Sequence, residues 1–440
     1  MFDNLATLLG TMRHHGAVRI YVKLLSPNDN SKNQIYLGGN FSILNIIPHG
    51  VVLSDSAKVG SSVRDRAKAG VEFFWIENDG VYKAPNTQLI LYPKYPEVRF
   101  SGFLKGCKKA PSEIMRSRQA GRLLFLGITK DSKVLGYATP ADSALARETA
   151  NLKGLELIGV LLQLPDINGM SSKIRLLSAL SSIFRKDWIN SQKIGKDGQP
   201  QFYSARNGGG YTLEAELGIS PNGSSEPDFL GWEIKQYSVG DFVRFSPKGP
   251  VTLLTPEPTG GIYKDLGLKE FMHRYGYPDK AGAAGRINFG GRYFCNQEAH
   301  KLTGLSLHMT GYNYESGKIF DLEGGLTLLD RSENIAAFWS FTHVIEHWNR
   351  KHAQAAYLPS LFRSPPPQYK YGPHVLLCEG TDLVLFLRAV ALGKIYLDPA
   401  LKYVTHIDGT VDWKKRNQFR LKHSDLSAVY HKTEMVDLLA

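Results

Sequence analysis

The sequence predicts an α+β protein of two unlike halves, a β-rich N-terminal half followed by a mixed α/β half. Between about residues 15 and 140, short alternating apolar runs recur between turn-rich stretches such as Ser26-Pro-Asn-Asp-Asn30 and Asn78-Asp-Gly80. Many short strands punctuated by turns point to a barrel or sandwich. From about Ser171 the pattern changes. Ile174, Leu176, Leu177, Leu180 and Ile183 recur at helical spacing, and strand-like and helical segments then alternate without an internal repeat. A chain of 440 residues also exceeds what one core usually organises, so more than one domain is expected.

Taken in order, the strand runs of the first half are Val18–Leu24, Gln34–Leu37, Val51–Leu53, Val71–Ile76, Gln88–Tyr92, Arg122–Ile128 and Lys133–Tyr137. A helical region is expected over 142–162, where Leu145, Leu152, Leu155 and Leu157 recur. The boundaries that follow are 1–145 for the first domain, 146–170 for a linker and 171–440 for the second domain. Within the latter, Phe338–Ala356 reads as a helix, and Pro365, Pro366 and Pro367 mark an exposed loop after it.

The composition, 42% hydrophobic and 21% charged, is that of a folded protein rather than a disordered one. No apolar run is long enough for a membrane helix, and the first residues lack the basic start and apolar stretch of a signal peptide. Cys107, Cys295 and Cys378 are odd in number and far apart, so they give neither a disulfide framework nor a zinc spacing. A bacterial cytoplasm and no membrane partner are the expectation. Lysine and arginine total 53 against 41 aspartates and glutamates, a formal charge of +12. Such an excess attracts polyanions, nucleic acid first among them, although a basic housekeeping enzyme has the same footprint.

The sharpest chemical feature is Pro227-Asp228 followed by Glu233-Ile-Lys235. Trp232–Tyr237 reads as a strand, which puts Glu233 and Lys235 on one face, because side chains alternate. Asp228 lies just before it. Two convergent carboxylates, with the backbone carbonyl of Ile234, can ligate a hard divalent cation, and Mg2+ suits such oxygens. The ion lowers the pKa of a bound water and offsets charge building on a phosphate. Lys235 then orients the water or stabilises the phosphorane. By itself the spacing also describes an ordinary acid–base pair on a strand.

The flanking residues add a resemblance. The run Tyr211-Thr-Leu-Glu214, then Leu217-Gly-Ile219, Ser225-Glu-Pro-Asp-Phe229 and Glu233-Ile-Lys235 resembles, in order, the active-site region of the MvaI/BcnI-type restriction endonucleases. Those are relatives of the mismatch-repair nickase MutH within the PD-(D/E)xK nuclease fold. The likeness extends from about residue 170 to the C-terminus, taking in Gly285–Gly291, Phe338–Phe341 and His347–His352. It implies catalytic roles for Asp228, Glu233 and Lys235, with Glu214 as an additional acid. Glu216, two residues on, points to another side of the helix.

In the C-terminal stretch Trp413–His423, basic and apolar residues interleave. As a strand it projects Arg416, Gln418, Arg420 and Lys422 from one face, and arginine pairs bidentately with guanine. The matching family segment belongs to the recognition lobe, so Arg416, Arg420 and His423 are expected to contact DNA bases or phosphates. A solvated strand making backbone contacts alone is the plainer account. His343 and His347 stand four apart near His352, but no third zinc ligand follows at sensible spacing, so packing or DNA-facing roles are expected.

The N-terminal half carries a second resemblance. Val22-Lys-Leu-Leu-Ser-Pro-Asn-Asp-Asn30, Gln34–Gly38 and Tyr95–Phe103 are similar to the EcoRII-type effector domain, a DNA-binding pseudobarrel. The loops Ser26–Asn33 and Lys94–Ser101 would be its arms in the major groove, with Asn30, Lys32, Glu97 and Arg99 as contacts. A protein-interaction barrel is the alternative. Together the two resemblances imply a type II restriction endonuclease, IIE-like, cutting double-stranded DNA at CC(A/T)GG, with the central base left open because the family resembled also contains readers of CC(C/G)GG. The front domain would bind a second copy of the site, and a cognate methyltransferase is expected in the same host. A MutH-like strand nickase and a non-catalytic DNA-binding regulator are the competing readings.

Overall fold

The computed structural model describes residues 2–439 except 28–33, 40, 56, 60, 61, 65, 94–96, 154, 166–169 and 221–226. In the first half, a seven-stranded sheet runs in the order Glu156–Ile158, Leu161–Gln163, Ala17–Leu25, Arg122–Thr129, Val134–Thr139, Phe73–Glu77, Gly80–Lys83. All its pairings are antiparallel except that of Val134–Thr139 with Phe73–Glu77. A five-stranded sheet packs against it, with Glu97–Ser101 and Gln88–Tyr92 near its middle. Every residue of Arg122–Thr129 is buried, because the strand has cover on both sides. Leu123 and Phe125 meet Leu5, Leu8 and Met12 of the first helix, whereas Leu124, Leu126 and Ile128 join Leu89, Leu91 and Phe100 of the other sheet. A strand buried on both faces reads as a near-continuous apolar run.

Three expectations for this half are corrected. The helix expected over 142–162 covers only Ala144–Asn151, capped by Ser143. Glu156–Ile158 and Leu161–Gln163 are strands, and Gln163 pairs with Tyr21. Within the segment 146–170, read from the sequence as a linker, these two strands therefore complete the first sheet. A short apolar run such as Leu155–Leu164 fits either periodicity, and the open edge of Ala17–Leu25 decides it. Likewise Glu97–Ser101, expected within a loop arm, is a strand with Val98 and Phe100 buried.

In the second half, the helix Ser172–Arg185 starts where the Ser171 hydroxyl accepts from the Ile174 amide at 3.3 Å. It buries Leu176, Leu180 and Ile183, but Ile174 is exposed. The central strand of the main sheet is Gln354–Arg363. On one side it pairs in parallel with Glu233–Ser238, and on the other antiparallel with Gln368–Tyr371 and His374–Glu379. Among the described residues Glu233–Ser238 has no second neighbouring strand, so it forms the sheet's edge. The expected helix over 338–356 is corrected to Phe341–His352, with strands Ile335–Ser340 before it and Gln354–Arg363 after it. The small residues Ala353, Ala355 and Ala356 continue the apolar pattern, yet they are buried under strand neighbours. Of Pro365, Pro366 and Pro367, expected in an exposed loop, the first two are exposed and Pro367 is half-buried.

The halves pack on each other. Asn45 Nδ2 donates to the Thr381 carbonyl at 2.8 Å, and the Val52 amide to Glu346 Oε1 at 3.0 Å. Glu156 of the first sheet accepts from Gln354 Nε2, on the central strand, at 3.1 Å. Burial, and then a hydrogen bond shared with Glu379, push the Glu156 carboxyl up to about 7. Lys173 and Lys432 face the same pair. A carboxyl whose pKa rises on folding stabilises the fold least once it ionises, so its contribution is lost as pH climbs from about 4.5, the ordinary value, through about 7. Glu156→Gln is therefore expected to raise Tm at pH 8 and to leave it unchanged at pH 4, as followed by thermal melts across that range. A pH-independent difference would contradict it. No described helix is long and apolar enough to cross a membrane.

Candidate active site on the sheet edge

Residues 227–235 form a tight hairpin feeding the edge strand. The Phe229 amide donates to the Trp232 carbonyl at 2.9 Å and the Trp232 amide returns to Phe229 at 2.8 Å. Between them Leu230 and Gly231 have φ of 51° and 95°, the left-handed pair that a two-residue hairpin turn demands. Leucine is an unusual occupant of that region, so the surrounding structure imposes it. Asp228 Oδ2 accepts from the Ile234 amide at 2.9 Å, which holds the aspartate at the head of the edge strand. Alternation then separates two faces. Trp232 and Ile234 turn into a core with Leu176, Leu180 and Ala356. Glu233 and Lys235 share the other, with Lys235 Nζ 2.5 Å from Glu233 Oε1 and Glu233 only 2% exposed. The hairpin thus sets Asp228 at the head of the strand that carries Glu233 and Lys235.

The glycine-rich stretch before this has a packing reason. A β-carbon at Gly209 would lie 2.8 Å from Gln236 Oε1, and one at Gly208 would lie 2.4 Å from Ser191 Oγ. Glycine lets the helix Gly208–Glu216 close on the edge strand, and Tyr371 ties it there by donating to the Gly209 carbonyl at 2.6 Å. That helix carries Glu214, half-buried. Glu216 accepts from Lys186 at 2.5 Å and Gln192 at 2.7 Å. Among the described residues no three His, Cys, Asp or Glu side chains gather closely enough to hold a metal by themselves. The available set is two carboxylates and the Ile234 carbonyl, all hard oxygen donors, beside a lysine. Such a set fits a hard divalent cation that keeps waters in its shell.

A cleft of about 800 Å³ opens beside Lys235, walled also by Tyr237, Lys248, Thr252, His347 and Tyr357. Burial holds Tyr237 up at about 12. His352 is sealed away from this cleft, with its ring nitrogens 3.2 Å from Tyr430 Oη and 3.0 Å from the Leu253 carbonyl, and its ring stacked on Trp348. Sequence reasoning missed Lys248, whose short Pro-Lys-Gly-Pro turn gives no signal beyond its charge.

The basic C-terminal stretch is not one strand, which corrects the expectation that Arg416, Gln418, Arg420 and Lys422 share a strand face. Val411–Lys414 pairs with Ala400–Thr405, and Phe419–Leu421 sits between Val251–Leu254 and Ile395–Leu397. Between them Asn417 is buried, donating to Glu257 Oε1 at 3.2 Å and Tyr263 Oη at 3.3 Å, and that anchor breaks the alternation. Arg416 is exposed. Arg420 is held by Asp398 at 2.8 Å and the Pro250 carbonyl at 3.1 Å. His423 lies with its ring 4.2 Å from that of Tyr237, on the Glu233–Lys235 face, and burial pulls its pKa down.

In the first half, Arg99 Nη2 pairs with Glu97 Oε1 at 2.8 Å, and Nη1 reaches Gln34 Oε1 at 3.2 Å. Both side chains project from a strand rather than from a free loop tip. Asn30 and Lys32 lie outside the described residues.

Comparison with known proteins adds three findings. The model of the MvaI/BcnI restriction endonuclease family matches residues 177–430, a span that contains Glu214, Asp228, Glu233, Lys235, Arg416, Arg420 and His423. No curated protein matches the chain. Similar solved structures include restriction endonuclease MvaI in complex with its cognate DNA substrate, at 18% identity and a TM-score of 0.45, covering 61% of this chain and 99% of that one. MvaI in the absence of DNA is matched at 17% identity and a TM-score of 0.34, covering 61% and 98%.

Proposed function

Because the chain belongs to the MvaI/BcnI restriction endonuclease family, we propose that it cuts double-stranded DNA at a short specific site, with Asp228, Glu233 and Lys235 as its catalytic residues. The observation that carries this reading is the hairpin: its closure puts the Asp228 carboxylate on the Ile234 amide and Glu233 against Lys235. Asp228, Glu233 and the Ile234 carbonyl would hold Mg2+. Bound there, Mg2+ supplies an acidified water and offsets charge on the phosphate. Lys235, at the lip of the cleft, orients the water or meets the charge developing on the phosphorane. Glu214, on the adjoining helix, is the additional acid. Lys248 and His347 across the cleft face the DNA backbone, where phosphate contacts position the duplex.

Site reading is assigned to the C-terminal stretch. Arg416 is its free reader, and Arg420 and His423 are the packed members that support or contact the bases. The proposed site is CC(A/T)GG. The first half is proposed as a DNA-binding pseudobarrel in which Asn30, Lys32, Glu97 and Arg99 grip a second copy, so that occupancy there stimulates cutting. A cognate methyltransferase in the same host would protect its DNA.

Incubating the protein and Mg2+ with methylation-free genomic DNA and sequencing the ends tests this, alongside plasmids bearing one or two sites. Ends at CC(A/T)GG, with two-site plasmids cut faster, are expected. Nicked circles as the final product would mean a strand nickase, and specific binding with no cutting would mean a regulator. Equal rates on both plasmids, unaffected by an added cognate duplex, would remove the second-site role.

A further inference from the structure

The turn that spaces the two carboxylates is touched by the other half of the molecule. In the strand Ala17–Leu25 the register slips by one residue immediately before Arg19, since Ala17 lies opposite Thr129 and Arg19 opposite Ile128. Such bulges redirect a side chain. Arg19 extends over Gly231: a β-carbon at Gly231 would lie 3.1 Å from Arg19 Nη1, 3.4 Å from Cδ and 3.7 Å from Cζ. Around this contact a small space of about 60 Å³ is bordered by Arg19, Ile20, Gln163 and Leu164 of the first sheet and by Ser172 and Leu230 of the second half. On its far side Trp232 Nε1 donates to Ser172 Oγ at 3.3 Å. The left-handed turn is thus clasped between a strand of the first half and the start of the helix Ser172–Arg185.

We propose that Arg19 is a positioning residue for cleavage, contributed by the N-terminal half, which holds the Leu230–Gly231 turn and through it the separation of Asp228 and Glu233. This rests on the nuclease reading of those carboxylates. The turn itself is closed by two backbone hydrogen bonds, and its first central residue carries a side chain in a region that favours glycine. An external brace is what keeps such a turn in a single conformation. Glycine at 231 admits the brace, since any β-carbon there would crowd the guanidinium. Groups that orient metal ligands from outside change metal affinity and rate together. A ligand that shifts the strand Ala17–Leu25 would therefore reach the carboxylates through the Arg19–Gly231 contact.

The test compares Arg19→Ala and Arg19→Lys with the wild type in the full chain. Amide hydrogen exchange at Trp232 and Ile234, in protein without Mg2+ or DNA, reads the turn directly. Cleavage across a Mg2+ series reads its consequence. Arg19→Ala is expected to exchange faster at both amides, to cut about 10-fold more slowly at saturating DNA, and to need several-fold more Mg2+, with KM for DNA unchanged. Arg19→Lys is expected to recover part of each. Wild-type exchange and Mg2+ dependence in Arg19→Ala would overturn the proposal, and so would a rate loss matched by parallel losses of Tm and DNA binding. Failure of the nuclease reading shows differently, as wild-type cutting by Asp228→Ala, and leaves the exchange result standing.

Discussion

Asp228→Ala is expected to lower the cleavage rate by at least about a thousandfold, or about 4 kcal/mol of transition-state stabilisation, while specific DNA binding survives. The carboxylate has two separable jobs in the structure. One oxygen accepts from the Ile234 amide at 2.9 Å, fixing the start of the edge strand, and the proposed second job is to supply negative charge to the cation. Asp228→Asn separates them, because an amide oxygen can still accept from Ile234 but cannot neutralise a cation. If charge is what the chemistry needs, both variants lose cleavage, and the asparagine variant keeps the wild-type Tm. Cutting restored by asparagine would reduce Asp228 to a structural cap. Single-turnover cleavage, with binding measured in Ca2+, distinguishes these outcomes.

Trp232→Ala is expected to destabilise the second half by about 3–5 kcal/mol, the usual range for emptying a fully buried aromatic site. Trp232 has no exposed surface. It packs in the core with Leu176, Leu180, Leu213 and Leu358, and its indole N–H is satisfied by Ser172. Alanine leaves both a cavity and an unpaired Ser172 hydroxyl. Because the residue stands next to Glu233, the cavity also loosens the turn, so activity should fall even where the variant remains folded. Denaturant unfolding of the wild type and variant gives the measurement, and a loss below about 1 kcal/mol would contradict the packing described.

What could be read from the sequence followed from local rules. Period-two alternation put Glu233 and Lys235 on one face, and the flanking order of Tyr211–Glu214, Asp228 and Glu233–Lys235 carried the family resemblance that residues 177–430 bear out. The misreadings came where a distant contact overrode local pattern. Trp413–His423 alternates well enough for a strand, but the buried Asn417 is fixed by Glu257 and Tyr263, over 150 positions away. Leu155–Leu164 fits a helix until the exposed side of Ala17–Leu25 recruits it. Nothing local announces that Leu230 adopts a left-handed conformation, which the two backbone hydrogen bonds between Phe229 and Trp232 require of it. Glycines 208 and 209 were visible as a stretch, but their reason, close approach to Ser191 and Gln236, is tertiary.

Among the described residues the strand Glu233–Ser238 has a neighbour on one side only, so the chemistry proposed for it sits at a rim and not in a tunnel. A long polymer can be met broadside at such a rim, with no free terminus to thread. Closed circles, which offer no ends at all, are then as open to attack as linear molecules, and the break falls wherever the bases are recognised instead of progressing inward from a terminus.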